Sequence, residues 1–379
     1  MSSNNCSAGL KLLHQRLWCF GVGTMLALAA GCANTAATIN ATMAASPVPA
    51  ATPTSAAPVT LTLLAYDSFT PSANIFDAFT NQTGIKVQLA LAGDAGELVT
   101  KAALTAGKPE GDVLWGVDNT LLSRALQADM FVPYAAPNLA YMDPAVTALV
   151  PGHAVTPVDT GDVCINYDIA WFKARSLAPP LTLQDLASAA YKDLLVTPSP
   201  LTASPGLAFL LATVAEFGED GWQAYWTQLR ANGVLVVDGW TEAYYTEFSG
   251  SSGKGSRPLV VSYGSSPPAE VIYAAPPIAT APTAVVLRTC FRQVEFAGIL
   301  RGTAHAREAQ MLLDYLTSVA FQEDLPLTLF VYPVHQAAAL PEAFIKHAQR
   351  PAAPLQVDPA RIAAQRSAWL DEWTTLVLR

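Results

Sequence analysis

The sequence predicts an α/β protein built on mostly parallel sheets. Short apolar runs and helical patterns alternate as strand, helix, strand, helix, strand between residues 60 and 118. The same kind of alternation returns after residue 190. Strands that alternate with helices pair in parallel, because each crossover needs a helix to bring the chain back. A third observation is composition: 51% of the 379 residues are hydrophobic and 13% are charged, ample for a large buried core.

The first strand is Thr60-Leu61-Thr62-Leu63-Leu64-Ala65-Tyr66, broken by Asp67-Ser68. A helix is predicted over 74–79, and Ile85-Lys86-Val87-Gln88-Leu89 alternates as a second strand. Gly93-Asp94-Ala95-Gly96 turns into a helix running through Leu98 and Leu104. The third strand, over 112–117, ends at Asp118-Asn119. Cys164-Ile165-Asn166-Tyr167 reads as extended, and Thr182-Leu183-Gln184-Asp185 as a capping box. Strands follow at 194–197, 233–237, 259–263 and 291–296, with helices over 207–216 and 305–318. The last helix opens with Asp358 as N-cap and Pro359 at its first position. Its Ile362, Trp369, Leu370 and Trp373 recur at helical spacing and predict a docked face.

Two such α/β units suggest a crevice between them, and ligands of open α/β sheets sit beyond the strand ends. The strand-end candidates are Tyr66, Asp67, Asp118, Trp240 and Tyr263. Each also has an ordinary use: an aromatic at a strand end packs on the core or rim, and Asp67 or Asp118 caps the next helix.

The first 31 residues carry Lys11 and Arg16 and no acidic residue, and a run from Leu17 to Ala30 is apolar or small. That pattern predicts a secretory signal, too short for a membrane span of about 20 residues. Ala30-Gly31-Cys32 makes it resemble a bacterial lipoprotein signal, in which Cys32 would be lipidated; an ordinary signal with an incidental cysteine is the alternative. Residues 32–59 are almost all Ala, Thr, Ser, Pro and Asn without a charge, the composition of a flexible tether. Secretion across the cytoplasmic membrane is expected, with a lipid anchor holding the protein at the cell surface or in the periplasm. Cys164 and Cys290 would remain in an oxidising compartment, as a disulfide or as two packed thiols.

A formal net charge of −9 without a Lys/Arg-rich tract argues against nucleic-acid binding. There is no phosphate-loop, Gly-x-Ser-x-Gly or His-Glu-x-x-His motif. His14, His153, His305, His335 and His347 lack metal-ligand spacing and read as surface or capping residues, so no metal is expected.

Longer motifs are more specific. Tyr66-Asp67-Ser68-Phe69, Gly116-Val117-Asp118-Asn119, Ser204-Pro205-Gly206-Leu207 and Gly239-Trp240-Thr241-Glu242-Ala243-Tyr244 occur in order. Ser262-Tyr263-Gly264-Ser265-Ser266-Pro267, Gln293-Val294-Glu295, Tyr332-Pro333-Val334 and 363–369 complete the series. Together they resemble the thiamine-binding proteins of bacterial ABC importers, from about residue 60 to the end.

The resemblance implies a type II two-lobe periplasmic-binding-protein fold, with lobes joined by crossing strands. It assigns 60–157 plus about 292–333 to lobe 1, and about 158–291 plus 334–379 to lobe 2. It also implies a monomer that carries thiamine or its phosphates, without a cofactor and without catalysis, to an ABC permease. Tyr66, Trp240 and Tyr263 would cage the thiazolium cation, and Asp67, Asp94 and Asp118 would take the amine and offset the charge. Ser204 and the Gly206 N–H, at a helix start, would hold the hydroxyethyl end or a phosphate. Phe330, a weaker cation partner than Trp, stands near a position where relatives often carry Trp. Another small cation, a thiamine precursor, or a thiamine-degrading activity using Cys164 are the alternatives.

Overall fold

The computed structural model of the chain describes residues 58–150, 152–251 and 255–379. The signal, Cys32 and nearly all of the tether lie outside the described residues.

Ten strands form one mixed sheet. In chain order they are β1 (Thr60–Ala65), β2 (Lys86–Leu91), β3 (Val113–Asp118), β4 (Phe131–Val132) and β5 (Thr156–Asp168). Then come β6 (Leu195–Pro198), β7 (Leu235–Val237), β8 (Leu259–Tyr263), β9 (Thr283–Leu300) and β10 (Tyr332–Pro333). The spatial order is β2-β1-β3-β9-β5-β8-β6-β7, with β4 added to β9 and β10 to β5. Strands β2, β1 and β3 are parallel, as are β7, β6 and β8. Between these triplets β5 and β9 run antiparallel to each other and to their outer neighbours. Two parallel halves are therefore joined by a ribbon of two crossing strands, the two-lobe α/β architecture expected.

Both crossing strands are far longer than their apolar segments. The reading of 164–167 and 291–296 as short strands is corrected to 13 and 18 residues. Asp159 and Asp162 interrupt the hydrophobic pattern of β5, yet Asp162 pairs with Arg292 across the ribbon at 2.5 Å, and β9 extends on both sides of 291–296 through largely apolar flanks. Polar residues with partners extend a strand without an apolar signature.

The helix expected at 74–79 instead spans Asp77–Thr83. The carboxylate of Asp324 accepts the Ser72 N–H at 2.9 Å and its hydroxyl at 2.5 Å, which holds the preceding segment as a turn. The capping box forms: Thr182 Oγ1 accepts the Asp185 N–H at 3.2 Å, and Asp185 accepts the Thr182 N–H at 2.9 Å. The last helix, Pro359–Val377, is capped by Asp358 and buries Ile362, Trp369 and Trp373. Trp373 meets Trp226 edge-on at 5.5 Å. Trp226 belongs to the helix Trp222–Ala231, whose buried Trp222, Tyr225, Trp226 and Leu229 follow helical spacing that the sequence reading passed over. His335, read as a surface or capping residue, is buried and stacks on Tyr141 at 5.2 Å.

Cys164 on β5 and Cys290 on β9 are joined by a disulfide, packed with Val285. Among the described residues no cysteine thiol faces the cavity described below.

Candidate functional site

A cavity of about 410 Å³ opens where the strand ends of both halves meet the crossing ribbon. That volume suits a small organic ligand. Tyr66 and Asp67 follow β1, Tyr263 ends β8, and Trp240 follows β7. Asp159 and Gly161 come from β5, Gln293 and Glu295 from β9, each pair two residues apart and so on one face.

One wall is aromatic. Trp240 stacks on Tyr244 at 5.2 Å and 16°, and meets Tyr245 and Tyr263 edge-on at 5.5 and 6.3 Å. A π-type turn over Glu242–Glu247 carries Tyr244 and Tyr245. Such turns are rare and concentrate at functional sites. The Trp240 indole N–H donates to Ser262 Oγ at 2.9 Å, which locks the ring against β8.

Two glycines seat the other rings. A Cβ on Gly116 would lie 2.6 Å from the Tyr66 ring, and one on Gly161 3.1 Å from the Tyr263 ring. Gly116 also has φ of +117°, where other residues are strained. Gly116→Ala is expected to push Tyr66 into the cavity and to cost about 1–3 kcal/mol of stability. Thermal denaturation and ligand titration check this; an unchanged midpoint would show that the ring seat yields freely.

Four carboxyl groups stand among the apolar and hydroxyl-bearing residues of the other walls. Asp67, Asp94, Asp159 and Glu295 line the cavity, and among the described residues no Lys, Arg or His does. Burial pushes Asp94 up to about 6. Burial also lifts the Tyr66 and Tyr263 hydroxyls well above their ordinary range, with Glu295 as the next cause for each. Glu295 Oε2 accepts the Trp115 indole N–H at 2.7 Å and the Tyr66 hydroxyl at 3.1 Å.

Asp94 is more than a wall. It caps the helix Ala95–Leu104 by accepting the Ala95 N–H at 2.7 Å. The same carboxylate accepts the Trp240 N–H at 3.1 Å and the Ser204 N–H at 3.4 Å, both from the half that carries β6–β8. It therefore clasps the two halves together across the cleft.

Asp118 and Gly206 are not among the lining residues. Asp118 is fully buried and occupied by the turn after β3: Oδ1 accepts the Thr120 and Leu121 N–H groups, and Oδ2 accepts Gln293 Nε2. Gly206 is packed against the Pro198 and Ser199 backbone. Ser204 does line the cavity and receives Gln293 Nε2 on its hydroxyl at 2.8 Å. Phe330 sits at the rim with φ of +56°, edge-on to Tyr273 at 5.7 Å. The Tyr273 hydroxyl in turn donates to the Leu327 carbonyl at 3.0 Å.

Asp159 and Tyr245 also line the cavity, as do Gln293, Glu295 and Tyr244, which stand in the motifs quoted above without a ligand role assigned to them. A period-2 polar face in 159–161 and 293–295 was the available signal. Tyr244 was marked only by its motif and Tyr245 by nothing, because a π-type turn has no simple periodicity.

Residues 109–353 match the family described as bacterial extracellular solute-binding protein. The chain is 32% identical to the thiamine-binding periplasmic protein of Salmonella typhimurium over 343 residues, covering 87% of this chain and 96% of that protein. It is also 32% identical to the thiamine-binding periplasmic protein of Escherichia coli, over 86% and 96% of the two chains. Among solved structures, a periplasmic thiamin binding protein superposes with a TM-score of 0.75 at 28% identity, covering 84% of this chain and 96% of that one. The periplasmic binding protein AfuA from Actinobacillus pleuropneumoniae shares the fold with a TM-score of 0.70 at 16% identity, over 85% and 99% of the two chains. The chain belongs to the bacterial extracellular solute-binding proteins, in the same family as the thiamine-binding periplasmic proteins, and is a binding protein rather than an enzyme.

Proposed function

We propose that this protein binds thiamine in the cleft outside the cytoplasmic membrane and delivers it to an ABC permease. The observation that carries the reading is the lining itself: stacked aromatic rings beside four carboxyl groups, without a basic side chain. Thiamine pairs a permanent cation with a flat aminopyrimidine, so it suits both surfaces. Each cation–aromatic contact contributes about 0.5–2 kcal/mol.

In this reading Trp240, Tyr263 and Tyr66 hold the rings, while Asp67, Asp94 and the β5–β9 carboxyls meet the positive charge. Ser204 meets the hydroxyethyl end and Phe330 closes the rim. Asp118 acts from behind, through Gln293. Thiamine phosphates are expected to bind more weakly than thiamine. The Gly206 N–H does not line the cavity, and the Ser204 N–H at the same helix start already faces the Asp94 carboxylate.

We take residues 60–157 with 292–333 as one lobe and 158–291 with 334–379 as the other, and the protein as a monomer anchored through lipid on Cys32. Mass spectrometry of the mature N-terminus tests the anchor.

Calorimetric titration of thiamine into the purified chain, unfolded and refolded to strip bound ligand, tests the function. One-to-one binding with thiamine recovered intact is the expected result. A folded sample that gives no binding would remove thiamine as the ligand.

A further inference from the structure

Two carboxyl groups on the cleft floor face each other without a cation between them. Asp159 and Glu295 are directly opposed in the antiparallel β5–β9 register. Both line the cavity, yet they are only 2% and 7% exposed. Opposed residues on one face of a sheet have Cβ atoms about 4.5–5.5 Å apart, so the register sets the two carboxyls side by side on the cavity floor. Glu295 Oε2 is already occupied by the Trp115 and Tyr66 donors. Asp159 Oδ2 is buried without a hydrogen-bond partner.

The surroundings supply no positive charge to the pair. Tyr66 faces it from the end of β1, Trp115 and Asp118 from β3, Tyr263 from β8, and Gln293 from β9 itself. Asp94 stands across the cavity at the start of Ala95–Leu104. The nearby arginines serve other groups. Arg366 on the last helix and Arg124 are grouped with Asp118, and Arg292 is bound to Asp162. Arg350 reaches Thr160 and the Tyr332 ring. Two adjacent buried carboxylates cannot both ionise without a partner.

We infer that Asp159 and Glu295 hold one proton between them in the unliganded cleft, and that a monocationic ligand enters in exchange for that proton. The inference rests on the thiamine reading above and adds its linkage to pH. In the empty cleft Glu295 donates its O–H to the Asp159 carboxylate, and the pair carries one negative charge. When the cation enters, the O–H bond breaks and the proton leaves to solvent. The cation is then held by two carboxylates.

Burial, followed by the Asp159 charge, lifts Glu295 well above the ordinary carboxylate range; burial is likewise the main cause of the rise at Asp159. The empty pair therefore keeps its proton at pH values where ordinary carboxyls are ionised, and the cation lowers its proton affinity. Ligand affinity rises with pH while the empty pair is protonated, by up to about tenfold per unit, and levels off once it is not.

The test is titration of thiamine into the full chain from pH 5 to 9, in buffers of different ionisation heat. Release of close to one proton per thiamine near neutral pH is expected. The neutral hydroxymethyl-pyrimidine should release none, and Glu295→Gln should bind thiamine more weakly with the release abolished. One-to-one thiamine binding with no proton released at any pH would overturn the exchange while leaving the thiamine reading intact. Absence of thiamine binding would overturn both. Infrared spectroscopy of the ligand-free protein tests the shared proton without ligand. A protonated-carboxyl band at neutral pH, lost in Asp159→Asn with Glu295→Gln, is expected; no such band in the unsubstituted protein would overturn the inference.

Discussion

Trp240→Ala is expected to weaken thiamine binding by about a hundredfold to a few thousandfold, or about 3–5 kcal/mol. Two contributions add. Loss of a desolvated cation–aromatic contact costs about 2 kcal/mol, and loss of a stacked ring face costs about 1–3 kcal/mol. The fold should persist, because Trp240 packs on the edge of a small cluster with Val196, Tyr244, Phe248 and Val260 rather than inside either main core. Trp240→Phe should recover much of the loss, since it keeps a face although not the Ser262 hydrogen bond. Calorimetry on the three proteins decides the matter. A change below threefold in the alanine variant would place the ligand elsewhere in the cavity, against Tyr66 and Tyr263.

Cys164→Ala with Cys290→Ala is expected to remove about 4 kcal/mol of stability without changing thiamine affinity at 25 °C. The bond closes a loop with a sequence separation of 126. Loops of this size give the largest loss of unfolded-chain entropy, about 4–5 kcal/mol in the chain-entropy account. Changing both cysteines avoids leaving one reactive thiol in a buried site. Both are nearly inaccessible, and neither touches the cavity. Denaturant unfolding, read by fluorescence with and without ligand, measures the effect. A loss below about 1 kcal/mol would mean that the β5–β9 ladder keeps the unfolded chain from gaining that freedom.

The parallel halves were legible because their strands are uninterrupted apolar runs: β1, β3 and β8 fall within about a residue of their predicted places. Helix starts were legible where chemistry marks them, as at Thr182 and Asp358. The crossing ribbon was only partly legible: Asp159 and Asp162 give the first half of β5 the composition of a loop, while β9 was read only over 291–296 and its apolar flanks at 283–290 and 297–300 were not. Only the partners across the ribbon, more than 120 residues away, turn that composition into structure. The site divides the same way. Tyr66, Trp240 and Tyr263 stand at strand ends or in distinctive motifs, and they line the cavity. Asp118 occupies an equally prominent strand end, yet spends its oxygens on a turn and on Gln293. Local sequence does not distinguish a carboxylate that faces a cavity from one that faces its own backbone.

The crossing ribbon also bears on the order in which the molecule can be assembled. A chain is made from its N-terminus, and β1–β3 are complete by residue 118. Yet β3 has no second neighbour until β9, whose pairing residues are 295–299. Until then its outer edge offers unpaired backbone groups to any other strand. The second half meets a similar delay, since β5 must wait for the same strand. Neither half can mature ahead of the other, so the protein emerges as one late-closing unit, dependent on protection of its early strands until almost four-fifths of the chain is available.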